Sequence, residues 1–335
     1  MKLGLIGAGR IGKLHGEVIT YHVDDATIEM VSDVYTEGLK DWAEPLGIQN
    51  ITNDYKEILE NPDIEGVLIC SSTDTHADLI IESAKAGKHI FCEKPVDFNV
   101  EKIQFALDTV KDAGVKLQIG FNRRFDHNFN KVQREVKQGK IGDVHIVKIT
   151  SRDPAPPPVE YIKVSGGLFL DMMIHDFDMA RFLSGSEVEE VFTYGTVLVD
   201  EKIGEAGDVD TAIVNLRFKN GAIGVIDNSR QAVYGYDQRV EVFGSKGMVL
   251  AENDFPTTVK VLTDDAVTED KPKYFFLERY KESYASELIA FVKAVKDDQE
   301  PLVIGNDGLA PVLIGLAAKR SLDEKRPVMI EEILG

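Results

Sequence analysis

Over residues 1–120 short apolar runs alternate with amphipathic stretches. Runs at 2–6, 28–33, 66–71, 89–92 and 116–120 are short and mostly apolar, the pattern of strands in a parallel sheet. Between them, 78–86 and 101–113 carry apolar residues at helical spacing; Ile103, Ala106, Leu107 and Val110 are the clearest set. Alternating strand and helix predicts a doubly wound parallel sheet with helices on both faces. From about residue 143 the texture changes. Segments 144–150, 189–199, 211–218, 222–229 and 239–243 read as strands separated by turn signals such as Asn220-Gly221 and Ser245-Lys246-Gly247. Helical patterns are fewer there, at 171–183, 284–296 and 308–322. The expectation is a second α+β domain with a large, mostly antiparallel sheet.

The change of texture and the length of 335 residues together imply two domains, 1–121 and 122–335. Pro154–Pro158 is a proline-rich patch inside the second domain, and it reads as a stiff extended loop.

Chemistry enters at the first loop. Gly7, Gly9 and Gly12 fit G-x-G-x-x-G, with Arg10 and Ile11 inside it. A strand precedes the motif, a helix follows, and Asp33 lies about 20 positions further on at the end of the second strand. That context makes the first domain a dinucleotide-binding Rossmann unit. Asp33 can accept hydrogen bonds from ribose hydroxyls and would repel a 2′-phosphate, and Val34 offers no compensating positive charge. NAD is therefore expected over NADP, with Arg10 the residue that could oppose this. Ser71, Ser72, Thr73 and His76 follow the 66–71 strand and suit the ribose and nicotinamide side of the cofactor; the rival reading is that this hydroxyl-rich stretch only caps a helix.

Glu93-Lys94-Pro95 ends another strand of the same sheet. A lysine there can reach the reacting hydroxyl of a substrate lying on the nicotinamide. In the second domain Asp171, His175 and Asp178 would share one face of a helix at i, i+4 and i+7. A histidine beside a carboxylate is how a general base is held; a satisfied core histidine and a metal site are the competing readings. Further polar candidates are Asn122 through Phe125, Arg152-Asp153 and Tyr234 through Asp237.

The net charge of −19 disfavours nucleic acid. No apolar run approaches a membrane span, and the chain start reads as a strand, so a cytoplasmic protein is expected. Cys70 and Cys92 end apolar runs and are expected to pack rather than pair.

The glycine loop, the Glu-Lys-Pro, the Gly120–Phe125 and Ser151–Pro158 segments, the stretch from Ser165 to His175 and Tyr234–Asp237 together resemble the glucose–fructose oxidoreductase/inositol dehydrogenase family over nearly the whole chain. The Ser151–Pro158 segment followed by Gly166-Gly167 and the Asp171/His175 pair is most like its inositol branch. The resemblance implies NAD-dependent oxidation of myo-inositol to 2-keto-myo-inositol in inositol catabolism. It implies catalytic roles for Lys94, Asp171 and His175, with His175 as base. It also implies polyol contacts from Arg124, Asp153, Tyr234 and Tyr236, cofactor contacts from Gly9 through Asp33, Glu93 and Lys94 to Asn122, no resident metal, and a homotetramer formed through the open face of the second-domain sheet. A related scyllo-inositol, D-chiro-inositol or aldose dehydrogenase is the alternative, and a non-catalytic dinucleotide sensor the alternative outside enzymes.

Overall fold

Six strands make the first sheet: β1 (Lys2–Ile6), β2 (Thr27–Ser32), β3 (Asn50–Thr52), β4 (Gly66–Ile69), β5 (His89–Glu93) and β6 (Leu117–Gly120). The computed structural model describes residues 1–334. All neighbours run parallel in the order β3-β2-β1-β4-β5-β6. This is the doubly wound order, in which the direction of winding reverses between β1 and β4. Both faces of the sheet are covered, so Leu3, Leu5, Val67, Leu68, Ile69, Ile90 and Phe91 are all fully buried. That explains the mostly apolar runs in the sequence. β3 has three residues at the sheet edge, too short to leave an apolar signature.

The unit built on this sheet takes two stretches of chain, Met1–Phe125 and Glu282–Val312. Sequence reasoning had left the second stretch in the C-terminal domain. It joins the first because it completes the β6 side: Ile119 N–H donates to Val303 O at 3.1 Å, and the Gln118 side-chain amide donates to Glu287 O at 2.8 Å.

The second unit, Asp126–Lys281 with Leu313–Gly335, holds a mixed sheet. Its strands are β7 (Val144–Arg152), β8 (Val188–Thr196), β9 (Thr211–Phe218), β10 (Ile223–Ser229), β11 (Asp237–Gly244), β12 (Gly247–Ala251) and, late in the chain, β15 (Val328–Met329). The order is β12-β11-β7-β10-β9-β8-β15. Only the β7/β10 pair is parallel. A separate hairpin, β13 (Lys260–Leu262) with β14 (Val267–Glu269), is exposed along both strands. β9 alternates buried and exposed residues along its length, as a strand with one covered face must.

One predicted helix is broken. The pattern at 171–183 implied a continuous helix, yet Leu168–Met172 forms a π-helical turn and the α-helix begins at Ile174 and runs to Ser184. Gly166 and Gly167 enter this turn with φ of 86° and 71°. A Cβ on Gly167 would lie 2.7 Å from Asp208 Oδ1, and Asp208 also accepts the Leu168 N–H at 2.9 Å. The Asp208 carboxylate thus fixes the turn, and Asp171 is presented from a π turn, where local widening often serves a functional site.

Candidate active site

In the first unit every predicted cofactor residue sits at or just past the carboxyl end of a strand, where open α/β sheets bind ligands. Gly7 follows β1 with φ of 92° and donates its N–H to Ser32 O at 2.8 Å. The helix Arg10–His22 starts directly after Gly9, so Arg10, Ile11 and Gly12 supply its first turn. The first turn of a helix offers N–H groups that can donate to an anion at the helix end. A Cβ on Gly9 would meet no protein atom, whereas one on Gly12 would strike Gly7 O at 1.9 Å. Gly12 therefore serves packing, and Gly9 leaves room on the open side of the loop. This is the space a pyrophosphate needs, and the loop fits the dinucleotide.

Asp33 follows β2. Its Oδ2 accepts the Ala8 N–H at 2.7 Å and its Oδ1 the Tyr35 N–H at 2.8 Å, which orients the carboxylate while leaving acceptor capacity on each oxygen. Val34 is 80% exposed. After β4, Ser71 Oγ and Thr75 Oγ1 lie 2.6 Å apart and Thr75 Oγ1 donates to Ser72 O at 2.7 Å. Ser72 occupies the N-cap position of the helix Thr73–Lys85 without a side-chain capping bond. Ser71 and Thr75 are thus tied to each other at the mouth of the strand. His76 is buried; its Nδ1 lies 2.7 Å from Pro95 O and its Nε2 3.0 Å from Ser71 O. Burial lowers its pKa. Each ring nitrogen lies against a main-chain carbonyl, so this histidine links the β4 loop to the Lys94-Pro95 corner and both its nitrogens are engaged by protein.

Glu93 ends β5. Its Oε1 lies 2.7 Å from His15 Nε2, and its Oε2 accepts the Lys94 N–H at 3.2 Å. Lys94 follows immediately. Asn122 is buried in the short 3₁₀ turn Asn122–Phe125 after β6, and Arg124 pairs with Asp307 at 2.8 Å within this unit. Cys70 and Cys92 are free and buried, and burial pushes both thiols well above their ordinary pKa. They pack, as their positions in the strands suggested.

The second unit brings Asp153 and Asp171 together through a residue the sequence did not single out. Arg230, just past β10 and almost wholly buried, donates to Asp171 Oδ2 at 3.3 Å and lies 3.6 Å from Asp153 Oδ2. Tyr161 OH donates to Asp171 Oδ1 at 3.0 Å. Arg230 bridges two carboxylates at a strand end; its only sequence signal was an arginine ending an otherwise alternating strand. His175 opens the Ile174–Ser184 helix on the turn after Asp171. Asp178 lies further along the same helix, buried, 3.8 Å from Arg181.

The tyrosine pair divides. Tyr234 OH donates to Asp237 Oδ2 at 2.6 Å and accepts from Arg152 Nη1 at 3.1 Å, and its ring remains partly exposed. Tyr236 is only 4% exposed and packs edge-on against Phe275 and Tyr280. Its ring serves the core of the second unit, which explains why alternation in a Tyr-Gly-Tyr segment could not tell the two apart. Among the described residues the one group that could hold a metal by proximity is His15, Glu93 and Glu287, not Asp171 and His175. No helix is long and apolar enough to cross a membrane.

Comparison with known proteins follows the same division. The profile of an oxidoreductase family with an NAD-binding Rossmann fold matches residues 1–121, and that of the GFO/IDH/MocA C-terminal domain matches 129–250. Myo-inositol 2-dehydrogenase of Thermotoga maritima is 54% identical over 335 residues, 100% of each chain. Inositol 2-dehydrogenase of Rhizobium meliloti is 47% identical over 330 residues, 98% of this chain and 99% of that protein. The crystal structure of scyllo-inositol dehydrogenase from Lactobacillus casei with bound cofactor NAD(H) and scyllo-inositol superposes with a TM-score of 0.92 at 29% identity, covering 99% of each chain. A chain that both family profiles match, and that a relative 54% identical covers from end to end, belongs to the GFO/IDH/MocA oxidoreductases, with an NAD-binding Rossmann fold.

Proposed function

We propose that this chain oxidises myo-inositol to 2-keto-myo-inositol with NAD, as a step of inositol catabolism. The observation that carries the reading is the full-length likeness to the Thermotoga maritima myo-inositol 2-dehydrogenase; Lys94, Asp171 and His175 are the residues assigned to its chemistry. His175 takes the hydroxyl proton. Asp171, itself held by Arg230 and Tyr161, steadies His175 as it becomes charged. Lys94 donates to the same oxygen and stabilises the developing alkoxide. NAD, when bound, accepts the hydride from the carbon that bears this oxygen. Arg124, Asp153 and Tyr234 are the polar groups assigned to the other ring hydroxyls, while the buried Tyr236 packs against Phe275 and Tyr280.

A second reading, scyllo-inositol as the preferred substrate, is favoured by the likeness to scyllo-inositol dehydrogenases at 29% and 35% identity. Steady-state kinetics across myo-inositol, scyllo-inositol, D-chiro-inositol, glucose and xylose decide between them. The expected result is the highest kcat/KM for myo-inositol, with NAD preferred over NADP by about tenfold or more, a difference of only about 1.4 kcal/mol. Asp33→Ser with Val34→Arg should narrow that cofactor preference and leave the inositol KM unchanged. A higher kcat/KM on any other polyol or sugar overturns the substrate; equal use of NADP overturns the role of Asp33.

We also propose a homotetramer in the cytoplasm. Register places Ile223, Ile146, Phe243 and Met248 in one row across β10, β7, β11 and β12, and Ile223, Phe243 and Met248 are all exposed. An apolar row across four strands on an open sheet face is the kind of surface that a second copy covers. Sedimentation should give a tetramer mass, and Phe243→Glu should lower it; a monomeric native protein sinks the proposal. Cell fractionation tests the compartment.

A further inference from the structure

His15, Glu93 and Glu287 meet inside the first unit from three elements: the Arg10–His22 helix, the end of β5 and the Lys281–Lys296 helix. Their nearest ligand-type atoms all lie within 4.8 Å of one another. His15 and Glu287 are fully buried, and Glu93 nearly so. The ring of His15 is held edge-on between Phe91 at 5.2 Å and Tyr284 at 5.7 Å. A Cβ at Gly120 would lie 3.1 Å from the Glu93 carboxyl carbon, so the glycine ending β6 confines that carboxylate from the other side. Glu93 is then fixed by two donors, His15 Nε2 at 2.7 Å and the Lys94 N–H at 3.2 Å.

Glu287 is different. Neither of its carboxyl oxygens has a hydrogen-bond partner among the described residues. A buried charge on Glu287 beside the Glu93 carboxylate, with no donor to support it, is strongly unfavourable; a proton on Glu287 removes the conflict. A cation is the other way to reconcile two carboxylates and a histidine. Yet His15 Nε2 and Glu93 Oε1 sit at hydrogen-bond distance, 2.7 Å, well under the edge of about 3.4 Å that ligand bonds of about 2.1 Å give in a tetrahedral site.

We propose that Glu287 is a proton-carrying positioning residue: it stays protonated at neutral pH, and its neutral carboxyl, packed within 4.8 Å of His15 and Glu93, lets the His15–Glu93 pair keep the one orientation that fixes the main chain of Lys94. This rests on the role proposed above for Lys94, but the protonation can be read without turnover. Burial first, and the Glu93 charge second, push the Glu287 carboxyl well above the usual carboxylate range. The other titratable groups around it are His15, Cys70, Cys92 and Tyr284; both thiols are neutral for the same reason of burial. A carboxyl whose folded-state pKa is raised favours folding fully below the ordinary carboxylate value, and that contribution is lost as pH rises toward the raised one.

The experiment uses the full chain, wild type and Glu287→Gln, Glu287→Asp and Glu287→Leu. Infrared spectroscopy at neutral pH should show a protonated-carboxyl band in the wild type that Glu287→Gln lacks. Thermal unfolding from about pH 5 to about pH 8 should show the midpoint of Glu287→Gln gaining on that of the wild type as pH rises, because the amide cannot ionise. Glu287→Leu and Glu287→Asp should lose about tenfold in kcat, less than the 10²-fold of an ångström's misplacement at the chemistry, and Glu287→Gln should recover most of it. No such band, or a midpoint gap that ignores pH, overturns the protonation. Native kcat in Glu287→Asp, or in a folded Glu287→Leu, overturns the positioning. A divalent metal retained at one per chain after dialysis, and lost in Glu287→Gln, overturns both in favour of a metal centre. If Lys94→Ala proves fully active, the infrared and unfolding results still judge Glu287 by themselves.

Discussion

Replacing Lys94 by Ala is expected to lower kcat by about 10²-fold or more, the scale of a lost acid–base or oxyanion contact, while NADH binding stays close to native. The argument is positional. Most lysines are solvated surface charges, but Lys94 follows β5 directly in a sheet whose strand ends gather the residues predicted to hold the cofactor. Its main chain is pinned by the Glu93 carboxylate, and the Pro95 carbonyl beyond it by His76. A side chain so anchored is supplied for a fixed target. His175→Ala should lose a comparable factor in kcat and, unlike Lys94→Ala, should flatten the acidic limb of the pH–rate profile, because the oxidation needs an unprotonated base. Steady-state and stopped-flow kinetics with NADH titration measure both. Near-native turnover in His175→Ala removes it as the base, and loss of NADH binding in Lys94→Ala shifts the lysine from chemistry to cofactor binding.

Two alanine substitutions in one loop should fail in different ways. In Gly12→Ala the new Cβ meets the Gly7 carbonyl oxygen at 1.9 Å, a clash with main chain that no side-chain motion relieves. A loss of about 3 kcal/mol of stability is expected, at the upper end for overpacking, together with lost NAD binding. In Gly9→Ala the Cβ meets no protein atom. That protein should fold with native stability yet bind NADH about tenfold or more weakly, since the methyl takes the space left for the pyrophosphate. Thermal unfolding without cofactor and NADH fluorescence titration separate the two. Equal stability in both variants would mean the loop shifts more freely than its packing indicates.

The parts of the fold that were legible in the sequence share one property, a local pattern with a physical cause. Strands 2–6 and 211–218 were read to the residue, because the first is buried on both faces and the second alternates cleanly. The glycine loop, Asp33 and the Glu-Lys-Pro were legible because strand ends and turns demand particular residues there. β3, β12 and β15 were not, being short or mostly exposed strands with little periodicity to show. The π turn at Leu168–Met172 was hidden because its apolar residues fit helical spacing as well. Arg230 and Glu287 escaped for a different reason. Each acts through partners far away in sequence, Asp153 and Asp171 for one and His15 and Glu93 for the other, and no local window contains such a relation.

The first unit's use of two separated stretches bears on how the protein is made. A ribosome delivers the chain from the N-terminus, and domains made of one continuous stretch can fold as they emerge. Here β6 comes out early, but the residues that satisfy it, Glu287 O for the Gln118 amide and Val303 O for the Ile119 N–H, come only after all of Asp126–Lys281 has been synthesised. The nascent dinucleotide sheet therefore waits with one flank unfinished while the second unit is translated, and the cofactor can stabilise the nucleotide-binding unit only near the end of synthesis.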